Sequence, residues 1–197
     1  TNPDGPAYDD APASGDTISS SQLIDALSSL PSGSRYDLVG FDECLMGSVE
    51  LAYNLKSVAK YLLASEESIA GNGWDYFAAL SRLQNGTSTA VVGKKFVDSF
   101  RAGYGDTPII GEANTLALTD LGQMDNVAQK ISSFVSSVIA EKSPKFWSSI
   151  GKSLLAGTYY GGDDYGYYQD LASFVARVGL ISKASPQTKS AANTLLD

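Results

Sequence analysis

The chain has 197 residues, 43% of them hydrophobic, enough to bury one good-sized core, and its even composition points to a single domain. A net charge of −8 without any basic stripe argues against nucleic acid and favours cationic partners. A single cysteine excludes an internal disulfide and a cysteine-based zinc site, and no apolar run approaches the roughly 18 residues needed to span a bilayer, which argues against a membrane partner.

In chain order, residues 1–16 are rich in Pro, Gly, Asp and Ser and read as an exposed lead-in. ISSSQLIDALSSL carries Leu23, Ile24, Leu27 and Leu30 at helical spacing behind a serine cap, and Pro31-Ser32-Gly33 closes it. Tyr36 to Phe41 is an apolar run of strand length, followed by Asp42, Glu43 and Cys44 and then by MGSVELAYNLKSV with helical period. A second strand is expected over Tyr61–Ser65, running into EESIAGNGWDY, and a third over Thr115–Thr119. The C-terminal third reads as four helices: GQMDNVAQKISSFVSSVIAEK, PKFWSSIGKSLLA, DLASFVARVGL and SPQTKSAANTLLD, the last with proline in its first turn. Strands alternating with helices imply an α/β fold with a mostly parallel central sheet flanked by helices, whose functional groups gather at carboxyl ends of strands. Three clear strands are few for this length, and the last helix lacks a capping glycine, so the expectation is a domain truncated after residue 197.

Cys44 stands at such a strand end. Its bland reading is a small buried hydrophobe. The two preceding carboxylates disfavour a thiolate, while the N-terminus of the following helix favours one. As a nucleophile it needs a base from outside a chain that has no histidine. Asp42 and Glu43 are either solvated loop acids or recognition groups. Two opposite unit charges about 4 Å apart attract by on the order of 4 kcal/mol at an effective dielectric near 20, a strong preference for Lys or Arg. In GNGWDY, Gly71 to Tyr76, Trp74 either folds onto the core or forms a substrate wall, since aromatic faces pack along Lys and Arg stems. YYGGDDYGYYQD, Tyr159 to Asp170, lacks the spacing of a calcium loop and reads as a surface loop capping the next helix.

The stretch YDLVGFDECLMGSVELAYNLKSVAKYLLASEESIAGNGWDY resembles the nucleophile-bearing segment of clostripain-family cysteine peptidases. The matching pieces are Phe41-Asp42-Glu43-Cys44-Leu45-Met46, Ser65-Glu66-Glu67, the glycine turn with Trp74, Thr115 to Leu121, and Tyr167 to Val175. The resemblance implies a caspase-like α/β fold, incomplete here at both ends. It implies an endopeptidase that cleaves after Arg or Lys, with Cys44 as nucleophile and a histidine that would lie upstream of Thr1. It implies Asp42 under the basic side chain, Asn72 where the family often has an acid, and Trp74 in the same glycine turn. Autoprocessing into a histidine-bearing light chain and a cysteine-bearing heavy chain is common in the family, and the isolated chain is expected to be inactive because it lacks the histidine. The chemistry requires no cofactor; calcium is implied for some relatives only. A secreted or cell-surface bacterial location and a peptide or protein substrate follow from the same resemblance. The alternative is a non-catalytic peptidase-like module that binds basic peptides in an acidic cleft.

Overall fold

The computed structural model describes residues 7–9, 16–31, 33–105, 114–161 and 168–197. Contacts group the chain into two compact units. The described residues of Thr1–Met124 and Tyr160–Tyr167 make up the first, and those of Asp125–Tyr159 and Tyr168–Asp197 the second.

The first unit opens with a two-stranded antiparallel ribbon, β1 (Ala7–Asp9) with β2 (Asp16–Ile18), of which β1 and Asp16 fall in the stretch expected to be an exposed lead-in. The composition argument concerns burial, and a ribbon is held by backbone hydrogen bonds that need no apolar side chains. Helix α1 (Ser20–Leu27) starts at Ser19, whose hydroxyl and backbone exchange bonds with Gln22 in a capping box. Strand β3 (Tyr36–Gly40) leads through α2 (Val49–Leu55), capped by Ser48, to β4 (Ala59–Ala64). This strand–helix–strand crossover makes β3 and β4 parallel, with Tyr36 opposite Ala59 and Gly40 opposite Leu63.

The sheet is mixed rather than mostly parallel among the described residues. Strand β5 (Ala117–Asp120) runs antiparallel to β4, with Ala117 opposite Ala64. The reason lies in the two helices between them, α3 (Tyr76–Leu80) and α4 (Thr89–Tyr104). The C-terminal residue of α4, Tyr104, donates its hydroxyl to Gly73 O, just past the carboxyl end of β4. Helix α4 is thereby tied to the loop that follows β4, and β5 runs back along β4. The order is β3-β4-β5, so β3 is an edge strand of this three-stranded sheet. Leu63, Ile69, Trp74, Ala79, Phe96 and Phe100 form a core on this sheet, with Cys44 packed against its margin. A 3-10 turn, Leu121–Gln123, follows β5 behind Asp120, which accepts from Gly122 N.

The second unit is helical: α5 (Met124–Ile139), of which all but Met124 belongs here, α6 (Pro144–Leu155), α7 (Leu171–Gly179) and α8 (Pro186–Leu196). Its core holds Phe134, Phe146, Val175, Val178, Ile181, Ala184 and Ala192. Glu141 accepts from Ser185 N at 2.6 Å and from the Thr188 hydroxyl at 2.7 Å, tying the α5–α6 turn to the start of α8. Two short strands, β6 (Tyr159–Tyr160) and β7 (Tyr168–Gln169), flank residues 162–167. The tyrosine- and glycine-rich loop thus lies partly outside the described residues; at its end Asp170 caps α7 by accepting from Ser173 N, as expected of that loop.

Candidate active site

The segment after β3 does not leave the sheet at once. Phe41 N donates to Leu63 O at 3.0 Å, extending the ladder by one residue. The loop from Asp42 to Ser48 then folds back along the continuation of β4, where Leu45 N donates to Glu67 O and Gly47 N to Ser65 O at 2.7 Å. A Cβ on Gly47 would lie 2.8 Å from Glu66 N, so only glycine lets the loop lie this close. Leu45 takes φ +61°, a left-handed conformation that costs a non-glycine residue about 1–2 kcal/mol. The bend falls immediately after Cys44 and turns the chain sharply there.

Cys44 is half-buried beyond the carboxyl end of β3. Its sulfur accepts from Ile69 N at 3.2 Å and faces Ile69 O at 3.7 Å as a donor. Its own backbone N–H donates to the Glu43 carboxylate at 3.1 Å. The sulfur therefore sits at the edge of the apolar core with a backbone donor beside it.

The ledge that carries Ile69 is built from buried polar groups. Glu67 is fully buried, and its carboxylate accepts from Ser68 N at 2.7 Å and Gly161 N at 3.0 Å. The Thr115 hydroxyl accepts from Glu66 N at 3.1 Å and Glu67 N at 3.0 Å, and pairs with the Ser65 hydroxyl at 2.7 Å. Buried polar groups bound in this manner hold a loop in one conformation.

Asp42 reaches across to the glycine turn. Its Oδ2 accepts from Trp74 N at 3.0 Å and from the Tyr76 hydroxyl at 3.0 Å, whereas Oδ1 is enclosed with no hydrogen-bond partner. Gly73 adopts φ +62°, and a Cβ there would come within 2.5 Å of Oδ2, so the turn presses directly on the carboxylate. Burial, followed by the hydrogen bond to Asp42 and its charge, raises the Tyr76 phenol above its ordinary value of 10.0.

Of the residues expected at the site, Asp42 and Trp74 are brought together, but through the Trp74 backbone. The Trp74 ring is 7% exposed and packs against Phe96 at 5.4 Å and Tyr76 at 6.1 Å between centroids. Of the two readings of that residue, the ring takes the core position. Asn72 is exposed at the tip of the turn. Sequence reasoning missed Tyr76 as the second donor to Asp42 and Ile69 as the sulfur's neighbour. Tyr76 was within the quoted GNGWDY; a polar tip two residues after a core aromatic was the available signal. Nothing in the sequence marked Ile69, which acts through its backbone.

Among the described residues no three His, Cys, Asp or Glu side chains cluster as metal ligands do. No helix among them is long and apolar enough to cross a membrane.

The sequence profile described as the Clostripain family matches residues 2–195. Three solved structures share the fold. A clostripain from Bacteroides thetaiotaomicron in complex with a peptide inhibitor has 19% identity and a TM-score of 0.64, over 89% of this chain and 71% of that one. A B. fragilis cysteine protease has 17% identity and a TM-score of 0.63, over 94% and 72%. A secreted C11 cysteine protease from Bacteroides thetaiotaomicron, with an irreversible peptide inhibitor, has 19% identity and a TM-score of 0.65, over 97% of this chain and 51% of that one. No curated protein matches the chain.

Proposed function

The chain belongs to the clostripain family of cysteine proteases, and from that premise we propose that it is the nucleophile-bearing part of an endopeptidase that cleaves after arginine or lysine. The observation that carries the specificity is the Asp42 carboxylate, held from one side by Trp74 N and Tyr76 while its Oδ1 is left unpaired. A buried carboxylate oxygen without a partner is costly, and a cationic side chain is the partner that offsets the cost best. Peptide substrates agree with the peptide inhibitors bound to two of the related proteases.

In this reading Cys44 is the nucleophile. The thiolate attacks the carbonyl carbon after the basic residue and forms a tetrahedral adduct; collapse expels the amine as the acyl-enzyme thioester forms. Water then attacks the thioester carbonyl, releasing the acid and returning the sulfur. A histidine takes the thiol proton and passes it to the leaving amine. The chain contains no histidine, so in this reading that residue lies outside residues 1–197, on the same polypeptide or on a light chain released from one precursor. The isolated chain is then inactive. The reading puts residues 1–197 inside one peptidase domain, with the three-stranded sheet part of a larger, mostly parallel caspase-like sheet. It also makes the protein secreted, as the related C11 protease is described.

The test is hydrolysis by the full-length protein of paired fluorogenic peptides ending in a basic or a neutral residue before the scissile bond, in wild type and Cys44→Ala. Cleavage after basic residues that vanishes in the alanine variant supports the proposal. Equal cleavage by both proteins sinks it, and binding of basic peptides without cleavage points to the peptidase-like binding module.

A further inference from the structure

Asp42 as the base of a pocket for a cationic side chain leaves open which cation fits, and the geometry bears on that choice once the pocket is granted. A carboxylate offers about four lone-pair sites, two on each oxygen. On Asp42 both sites of Oδ2 are taken, by Trp74 N and by the Tyr76 hydroxyl, each at 3.0 Å. Gly73 closes the same side, since even a Cβ there would come within 2.5 Å of Oδ2. Only Oδ1 is left without a partner.

Arginine and lysine use a carboxylate differently. A guanidinium binds best as a fork, with two parallel N–H donors reaching both oxygens, whereas an ammonium is a compact point charge that needs one. At Asp42 the second arm of the fork would meet an oxygen that already accepts two bonds. We propose that Tyr76 is a specificity-determining residue, whose hydroxyl withholds Oδ2 and thereby tilts the site toward lysine over arginine. The hydroxyl is held in place by its ring, which packs edge-on to Phe96 at 5.7 Å and against Trp74 at 6.1 Å. The raised phenol keeps its proton at neutral pH and remains a donor to the carboxylate. Asn72, at the tip of the turn, brings no second charge to pair the free arm of a guanidinium. The incoming ammonium is expected at Oδ1, the oxygen of Asp42 that keeps no partner.

The experiment uses the full-length protein and two peptides identical except for Lys or Arg before the scissile bond, and reads the ratio of their kcat/KM values. The ratio cancels the concentration of active enzyme, so partial misfolding of a variant does not distort it. Wild type is expected to favour Lys. Tyr76→Phe keeps the ring and removes the hydroxyl, freeing one site on Oδ2, and the ratio is expected to move toward Arg by about fivefold to tenfold, the effect of one hydrogen bond of roughly 1 kcal/mol or a little more. Asp42→Asn lowers both substrates together. A wild-type preference for Arg, or a ratio unmoved in Tyr76→Phe while cleavage after basic residues persists, overturns the role of Tyr76 and leaves the peptidase reading standing. Cleavage after neither residue overturns both.

Discussion

Replacing Asp42 with asparagine tests the pocket at its base, and the structure says which way the new amide must face. Trp74 N–H and the Tyr76 hydroxyl both donate to the Oδ2 position, so the amide oxygen has to take that place. The NH₂ group then occupies the position of Oδ1, where the substrate cation is expected. The substitution removes a charge and also turns a donor toward a donor. The Coulomb attraction at about 4 Å is on the order of 4 kcal/mol at an effective dielectric near 20, and solvent screening reduces it. A surviving loss of about 2.7 kcal/mol corresponds to roughly a hundredfold in kcat/KM for Lys and Arg substrates. A substrate with a neutral residue before the scissile bond loses far less. Folding should be little affected, because both bonds to the Oδ2 position are kept and a buried unpaired carboxylate oxygen disappears. A melting temperature within a few degrees of wild type checks this. If the basic-to-neutral ratio of kcat/KM is the same in the variant and in wild type, Asp42 is a loop acid and the pocket's charge lies elsewhere.

Three further outcomes are expected. Gly73→Ala puts a side chain at φ +62° and a Cβ 2.5 Å from Asp42 Oδ2, so it should lower the melting temperature and depress turnover of basic substrates more than of neutral ones; equal loss on both would show that the turn matters only for folding. Glu43→Ala frees the Cys44 N–H, which under the proposed mechanism is a donor to the oxyanion, and removes the charge that this N–H now binds. Iodoacetamide should alkylate this variant faster than wild type, and kcat should exceed that of Glu43→Gln, which loses the charge but keeps the acceptor; identical kcat in the two variants would mean that the contact does not restrain the donor. Glu141 is held below its ordinary value of 4.5, first by Ser185 N–H and then by the Thr188 hydroxyl. A depressed folded value means stability that is full above the unfolded value and is lost as pH falls through the folded one. The melting-temperature advantage of wild type over Glu141→Gln should therefore shrink between about pH 6 and about pH 3, and a constant gap would contradict the linkage.

The helices were legible because their signals are local. Ser19, Ser48, Ser143 and Ser185 cap where a serine precedes an apolar period, and Pro144 and Pro186 occupy first-turn positions. Strand existence was legible from apolar runs, but strand direction was not. The antiparallel β5 goes with the tie from α4 to Gly73, a contact between residues 31 apart that no local pattern records. Ribbon β1–β2 escaped notice because the composition of residues 1–16 carries no strand-like apolar run. At the site, Asp42 and Cys44 were legible as types in a suggestive place. The hold on Asp42 was not, since one donor is the Trp74 backbone and the other, Tyr76, carries its polar atom at the end of a ring that reads as core.

Asp42, Glu43 and Cys44 are consecutive, and three neighbouring groups that all favour or carry negative charge should repel one another unless each is held separately. The structure separates them by partner. Glu43 closes locally on Cys44 N, the sulfur leans on Ile69, and Asp42 reaches Trp74 and Tyr76. Apart from the local Glu43 contact, every partner comes from the single stretch between Ser65 and Tyr76, whose start is pinned by Thr115 and the buried Glu67. One segment thus sets the position of the sulfur and the position of the carboxylate proposed to set specificity together. A change that shifts this segment, such as loss of the Glu67 carboxylate, should move both at once and lower turnover of basic and neutral substrates alike. A change at Tyr76 alters only what Asp42 offers. That difference in signature separates residues that place the site from residues that tune its choice of side chain.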